Sequence, residues 1–136
     1  MNGIEEWHSL VNMEKLNDLT YQIIGCAYKV HSNLGPGLLE STYEICLEHE
    51  LNDVGLTVAR QKALPVVYGD IKMEAGYRID LLVDNSIVLE LKSIDAIAPI
   101  HKAQLMTYLK LSGLKLGLLL NFNVTNMKKG VTRIIM

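Results

Sequence analysis

The chain has 136 residues, of which 49% are hydrophobic and 21% charged, and its formal net charge at pH 7 is −2. This length suits one domain with one core, and the composition is ordinary for a soluble globular protein. Apolar runs such as Leu118–Leu120 are far shorter than the ~20 residues that a membrane span needs, which argues against a membrane protein.

Two further features indicate the compartment. Residues 1–6 lack the basic and apolar segments of a secretory signal. Cys26 and Cys46 could form one disulfide, but both fall in helix-like stretches beside apolar neighbours, where reduced core thiols are expected. We therefore expect a cytoplasmic protein.

Charge is unevenly distributed along the chain. Residues 1–100 contain all 15 acidic residues and 7 lysines and arginines, a balance of −8. Residues 101–136 contain no acidic residue and have a balance of +6, from Lys102, Lys110, Lys115, Lys128, Lys129 and Arg133. Such segregation favours a basic surface that faces a polyanion. The alternative is that folding mixes the two halves, since halves of a sequence are not surfaces.

The first 53 residues predict an arm and two helices. Residues 1–14 are weakly periodic and are expected to form a short N-terminal arm that Trp7 could anchor. Apolar positions at helical spacing predict a helix over residues 16–34, ended by the Gly-Pro-Gly of residues 35–37. A second helix is expected from Leu38 to about Asp53.

Three glutamates recur at helical spacing on this second helix. Glu44 and Glu48 are interpreted as part of a solvated acidic stripe, because like charges at i, i+4 repel one another. Glu40 falls in the first turn, where the helix dipole favours an anion, so its position also has a structural reason.

Strands dominate the rest of the chain. Residues 57–68 predict a strand with an edge or irregular position at Pro65, followed by a turn, a return strand over 71–74 and a bend at Ala75-Gly76. The hairpin of residues 76–92, a helix over 99–113, a strand over 115–122, a polar loop over 123–130 and a last strand over 131–135 follow. The order predicts one α/β domain over residues 1–136, with a mixed central sheet flanked by helices.

The hairpin of residues 76–92 carries three charges on one face. Its two apolar runs are joined by Asp84-Asn85-Ser86, a turn-forming cluster. Closing the hairpin around Asn85 sets Asp80 opposite Glu90, with Cβ atoms ~5 Å apart. Lys92 lies two residues beyond Glu90 and therefore points to the same face. Burying such charges is costly unless they are paired or bind a metal.

This trio has two interpretations. Two carboxylates at one point can bind Mg2+, which acidifies a bound water and polarises a phosphoryl oxygen, while a lysine beside them positions that water or accepts its proton. The constellation therefore suits metal-assisted phosphodiester hydrolysis. The alternative is an ion pair of Lys92 with Asp80 or Glu90, which spacing alone does not exclude.

The order of elements, with Asp80 and Glu90-Leu91-Lys92, resembles the PD-(D/E)XK nuclease superfamily. Its restriction-endonuclease-like core is αβββαβ, with the motif on the second and third strands. Residues Gly37–Tyr43 resemble the G-x-x-E-x-x-Y signature of the GxxExxY family, a branch of that superfamily. The resemblance extends from about residue 16 to the end of the chain. The proline of the superfamily's name has no counterpart before Asp80, where Ile79 stands.

The resemblance implies roles for the charged residues. Asp80 and Glu90 would be ligands of Mg2+, with Mn2+ as a substitute, and Lys92 would be the catalytic lysine. Glu40 would match the helix glutamate that points into such sites, directly or through water, and is a further catalytic and metal-binding candidate.

A helical stripe after the hairpin adds further candidates. Gln104 and Tyr108 resemble the Gln-x-x-x-Tyr element of RecB-like members, which orients the site and the nucleic-acid backbone. For Tyr108 the alternative is a half-buried core aromatic. Lys102 is a candidate nucleic-acid contact in the same helix, whereas His101 is expected at the surface rather than as a ligand.

The leading hypothesis is a Mg2+-dependent nuclease that acts on DNA. A second hypothesis is a nuclease-like module that binds nucleic acid or a protein without cutting, and a third is a structural role with the trio as an ion pair. Superfamily members often dimerise, which leaves a homodimer open. The intact set of Asp80, Glu90 and Lys92 favours the first hypothesis.

Overall fold

A mixed sheet with helices on both faces forms the body of the protein, described in this computed structural model for residues 3–74 and 76–136 apart from the side chains at positions 8, 9 and 11. In chain order the elements are α1 (Gly3–Leu34), α2 (Glu40–Asp53), β1 (Val58–Ala63), β2 (Val66–Tyr68), β3 (Ile71–Met73), β4 (Arg78–Val83), β5 (Ile87–Lys92), α3 (Pro99–Ser112), β6 (Leu116–Asn121), a 3-10 turn (Met127–Gly130) and β7 (Val131–Ile135). The five-stranded sheet has the order β1-β4-β5-β6-β7. Strands β5 and β6 are parallel, and the other neighbours are antiparallel.

The two central strands are covered on both faces. On one face, α1 and α2 bury side chains such as Ile23 and Leu47 against odd-numbered residues of β5, including Leu89. On the other, Leu105 of α3 packs with Val88 of β5. Apolar residues on both faces of β5 and β6 drive this arrangement, because only a strand covered from both sides buries them all. The predicted mixed sheet flanked by helices is confirmed.

Helix α1 begins earlier than expected. The sequence predicts a start at residue 16, but residues 3–14 belong to the same helix, so the described part of the N-terminal arm is helical. Its apolar side chains Ile4, Trp7 and Leu10 are exposed, which explains why no buried stripe marked the segment. Among the described residues no helix, the 32-residue α1 included, is both long and apolar enough to cross a membrane.

The predicted strand over residues 57–68 is wrong in one respect, because it breaks at Leu64-Pro65. Proline lacks an N–H group and cannot continue the ladder, so β1 ends at Ala63 and β2 pairs with β3 in a separate two-stranded sheet. The chain returns through Gly76, which has a φ of +111°, and the Leu64 N–H donates to the carbonyl of Tyr77 over 2.9 Å. Ala75, part of the predicted bend, lies outside the described residues.

The hairpin between β4 and β5 has the predicted register. Leu81 pairs with Leu89 and Val83 with Ile87, which extrapolates to Asp80 opposite Glu90. Asp84 and Asn85 turn the chain with φ values of +50° and +51°, a region that Asn and Asp tolerate better than most residues. The Asp84 carboxylate also accepts hydrogen bonds from the backbone and hydroxyl of Thr57, each over 2.8 Å.

The basic residues of the C-terminal segment do not gather on one face. Lys102 and Lys110 lie on α3, whereas Lys128 and Lys129 lie in the 3-10 turn, which packs against α1 on the opposite face. Arg133 in β7 donates to Asn17 of α1. Of the two alternatives, the structure therefore favours mixing of the halves over a single basic surface, since folding separates residues that are close in sequence.

The cysteines are free thiols, as expected. Cys26 is buried, and its thiol lies 3.7 Å from the carbonyl oxygen of Glu50 in α2. Burial raises the pKa of the Cys26 thiol, with the charge of Glu50 adding to the effect. Cys26 therefore behaves as a small core residue.

Two glycine substitutions should affect stability in opposite directions. A Cβ at position 130 would lie 2.2 Å from the backbone oxygen of Asn121, so we expect Gly130→Ala to lower the free energy of unfolding by ~3 kcal/mol or more. A Cβ at Gly25, exposed within α1, meets nothing within 4 Å, so Gly25→Ala should raise it by roughly 0.5–1 kcal/mol. Urea unfolding of both variants measures the difference, and equal midpoints would contradict it.

Candidate active site

The carboxylates of Asp80 and Glu90 lie where β4 and β5 part. Beyond the Leu81–Leu89 pair, backbone N–H groups donate to side-chain carboxylates of the opposite strand and not to its carbonyl groups. The Asp80 N–H donates to Oε1 of Glu90 over 3.3 Å, and the Leu91 N–H donates to Oδ2 of Asp80 over 2.9 Å. Each carboxylate is thus held by the backbone of the opposite strand, and the two lie side by side as predicted.

Glu90 is almost completely enclosed, with 6% of its surface exposed. Burial, the charge of Asp80 and a hydrogen bond to the Asp80 carboxyl raise its pKa to about 9, and the Lys92 ammonium opposes this only partly. Without a cation, Glu90 therefore keeps a proton at neutral pH. A cation between the carboxylates would favour loss of that proton.

Lys92 ends β5 and is partly exposed. In the described part of the chain, no salt bridge joins Lys92 to Asp80 or Glu90. The ion pair considered as an alternative for the trio is therefore absent, although the Lys92 ammonium is close enough to lower the pKa of Glu90. Among the described residues, Lys92 thus lies near the two carboxylates but forms an ion pair with neither.

Glu44 is part of the site, contrary to its interpretation as a solvated residue. It is 6% exposed, and its Oε1 accepts a 2.6 Å hydrogen bond from Nε2 of Gln61. The same amide group lies 3.4 Å from Oδ1 of Asp80. Burial is the largest cause that raises the pKa of Glu44, and the charge of Asp80 adds to it. Arg60 contacts both Glu44 and Glu48, over 3.5 and 3.6 Å.

Gln61 itself is held in an unusual backbone conformation. Its φ is +55°, in the middle of β1, where a residue with a side chain costs on the order of 1 kcal/mol or more. The conformation directs the amide between Glu44 and Asp80. Sequence alone offered no signal for it, because Gln61 stands in a polar stretch of a predicted strand.

The loop before α2 is fastened by Tyr43 of the G-x-x-E-x-x-Y segment. The fully buried Tyr43 donates its hydroxyl to the carbonyl of Gly35 over 2.6 Å and accepts from the N–H of Leu38 over 3.1 Å. Its ring stacks on Phe122 with centroids 4.5 Å apart, and the Phe122 N–H donates to the carbonyl of Lys92 over 2.9 Å. The tyrosine thus ties this loop to the end of β5.

Glu40 lies on the same side of the sheet as that contact. As the first residue of α2, it accepts from the N–H of Ser93 over 3.4 Å, and the Ser93 hydroxyl donates to the carbonyl of Leu38 over 2.6 Å. Glu40 therefore contacts the residue that follows Lys92, although Glu40 itself is exposed. No contact of Glu40 with Asp80 or Glu90 is present in the described residues, so its metal ligation stays a prediction.

We expect Tyr43→Phe to weaken the fold by about 1–3 kcal/mol, because it leaves two backbone groups without their shared partner. Urea unfolding measures the loss. Tyr21→Phe is the matched control, since Tyr21 is 82% exposed on α1 and its substitution should leave the midpoint unchanged. A Tyr43→Phe midpoint equal to that of the control would contradict the fastening role.

Helix α3 brings two of its three predicted residues to the site. Tyr108 is 8% exposed and packs in the core beneath α3, while its hydroxyl lies 3.4 Å from Nε2 of Gln104. Burial, followed by the charge of Glu90, raises the pKa of Tyr108, so its phenol is close to the carboxylates. Tyr108 is therefore a core aromatic at the edge of the site, and its role in orienting nucleic acid stays a prediction. Lys102 lies roughly 200° around the helix from Gln104 and does not join this stripe.

His101 is a capping residue rather than a ligand. Its Nδ1 accepts from the N–H of Ala98 over 2.9 Å. At the other end of the preceding loop, the buried Asn121 accepts from the N–H of Ile94 and donates to its carbonyl, over 3.2 and 2.9 Å. The loop after Lys92 is thus fixed at both ends. Asn121, paired with Lys92 in the parallel ladder, is another site residue that the sequence did not indicate.

Comparison with known families decides the assignment. The family model of the PD-(D/E)XK nuclease superfamily matches residues 17–134. The chain belongs to this superfamily. No curated protein and no solved structure matches the chain significantly. Nothing in these comparisons distinguishes the GxxExxY branch, which stays a prediction.

This PD-(D/E)XK protein has a donor set that fits a hard divalent cation. The described residues contain no group of three or more histidines, cysteines, aspartates or glutamates arranged to hold a metal. The candidate donors are instead the two carboxylates of Asp80 and Glu90, a set compatible with Mg2+, since this ion usually binds one or two carboxylates and keeps several waters.

Proposed function

We propose that the chain is a divalent-metal-dependent nuclease that hydrolyses phosphodiester bonds, with DNA as the expected substrate. The observation that carries the proposal is the meeting of Asp80 and Glu90 at the parting of β4 and β5, with Lys92 beside them and unpaired by either. Membership of a nuclease superfamily supports it. The arrangement of Gly37–Tyr43 also supports assignment to the GxxExxY branch.

In this proposal Asp80 and Glu90 hold Mg2+, or Mn2+ in its place, and Glu40 approaches through a water. When bound, the ion would stabilise negative charge on a phosphate oxygen and lower the pKa of a bound water. Lys92 would position the attacking water or, in its neutral form, accept a proton from it. The new P–O bond would form as the bond to the leaving oxygen breaks, and the leaving oxygen would take up a proton from water. Gln61 and Glu44 position Asp80, and Gln104 and Tyr108 orient the strand.

Purified protein should cut DNA in Mg2+ or Mn2+ and not in EDTA. Single- and double-stranded DNA and RNA are incubated with the wild type, with Asp80→Asn, and with Asp70→Asn as a control in the exposed turn between β2 and β3. We expect Asp80→Asn to lose 100-fold or more in rate, a typical order for a lost catalytic charge, and Asp70→Asn to match the wild type. Salt-dependent binding without cutting by any protein would contradict hydrolysis and favour the binding module.

A further inference from the structure

An apolar cleft opens beside the candidate active site, between α3 and the two-stranded sheet. Its volume is about 440 Å³, within the range of small-molecule sites. One wall is the face of α3 from Ile100 to Leu111, and the other is formed by Val66, Met73 and Tyr77. None of the nine described residues that line it is charged. The cleft is thus a neutral space next to a strongly charged site.

The cleft and the candidate active site share two residues. Gln104 and Tyr108 line the cleft, and Tyr108 packs in one cluster with Val88, which lies two residues before Glu90 on the same face of β5. A ligand in the cleft would therefore be separated only by Tyr108 from a phosphate held by Asp80 and Glu90. In a strand of nucleic acid, a sugar joins each phosphate to a base, which is neutral, flat and aromatic.

The lining matches the chemistry of a base. Tyr77 is 51% exposed, and its backbone carbonyl accepts a hydrogen bond from the N–H of Leu64, so the backbone that carries the ring is held in place while the side chain stays accessible to a base. Gln104 and Thr107 supply an amide and a hydroxyl for the edge of a base. Aromatic platforms of this kind stack bases without strict sequence preference.

We propose that this cleft receives an unstacked base of the strand being cut, with Tyr77 as its stacking platform, and that the substrate is therefore single-stranded or frayed nucleic acid. The inference rests on the proposed function for the identity of the ligand. A base paired within a duplex could enter the cleft only by leaving its stack, which costs a few kcal/mol. Duplexes should therefore bind and be cut more weakly than single strands of the same sequence.

Binding is measured separately from cutting, so that the two proposals fail independently. Fluorescence anisotropy follows a labelled 12-nucleotide single strand of DNA in Mg2+, on the Lys92→Ala background. Tyr77→Ala should weaken binding about tenfold, whereas Tyr77→Phe, which keeps the ring, should not. Tyr68→Ala is the matched control, because Tyr68 is 77% exposed on the same two-stranded sheet but does not line the cleft.

A set of strands that each lack one base tests the stacking directly. One abasic position should weaken binding about tenfold with Tyr77 present and have no further effect in Tyr77→Ala, because both changes remove the same contact. Equal affinities of Tyr77→Ala and Tyr68→Ala, with cutting intact when the same changes are made in protein that retains Lys92, would overturn the base site and leave the nuclease. Base-dependent binding, without cutting by the protein that retains Lys92, would support the site and contradict hydrolysis. A dimer that dissociates on Tyr77→Ala would show that a second copy fills the cleft and would overturn the proposal.

Discussion

Lys92→Met is expected to lose hydrolysis by about 10²-fold or more while still binding metal. Removal of a general base or a water-positioning group costs this order of rate, whereas both carboxylates remain. Loss of the ammonium also removes its repulsion of a cation, so affinity for Mn2+ should be maintained or rise. Single-turnover cleavage and calorimetric Mn2+ titration measure the two quantities.

Lys110→Met provides the control for the loss of a lysine. Lys110 is exposed in the last turn of α3, away from the carboxylates in sequence and position on the helix. It should leave both cleavage and metal affinity unchanged. Cleavage by Lys92→Met within threefold of the wild type would remove Lys92 from the proposed chemistry, and loss of metal binding would make it a structural residue.

Glu90→Gln should remove the loss of stability with rising pH that Glu90 causes in the metal-free protein. The native pKa of Glu90 is about 9, above the ~4.3 of an unfolded chain. Between these values the folded state holds a proton that the unfolded state has lost, so the wild type loses stability as pH rises through this window. The contribution is on the order of 1 kcal/mol per pH unit. Glutamine at this position cannot ionise and avoids the loss.

Added Mg2+ should change the stability of the wild type but not that of Glu90→Gln. At pH 8, Mg2+ should stabilise the wild type by binding its native state and should leave Glu90→Gln unaffected, while Glu90→Gln loses cleavage. Urea unfolding at pH 5 to 9 with and without Mg2+ measures both effects. Glu74→Gln, at an exposed position with a surface pair to Lys72, is the control for loss of a carboxylate. Parallel pH profiles of Glu90→Gln and the wild type would contradict the raised pKa.

Several residues of the site were predictable because they depend on local rules. The register that places Asp80 opposite Glu90 follows from the turn at Asp84-Asn85 and the alternation of side chains along a strand. The central position of β5 follows from apolar residues on both of its faces. The positions of Gln104 and Tyr108 on one helical stripe follow from the period of the helix.

Glu44, Gln61 and Asn121 were not predictable, because their roles depend on contacts between distant segments. The sequence places Glu44 in a polar stripe but does not show that β1 covers that stripe. The left-handed conformation of Gln61 has no local cause, since it is a non-glycine residue within a strand. Asn121 matters only because β6 ends beside the loop that follows Lys92.

The sequence alone determined the central position of β5, the hairpin register and the acidic pair, since turns and periodicities act within a few residues. The tertiary structure decided the division of residues 57–73 into two sheets, the full length of α1 and the enclosure of Glu44. It also decided that the basic C-terminal residues lie on both faces. Each of these depends on which surfaces meet when the chain closes, and burial of a residue is set by its partner's position as much as by its own side chain.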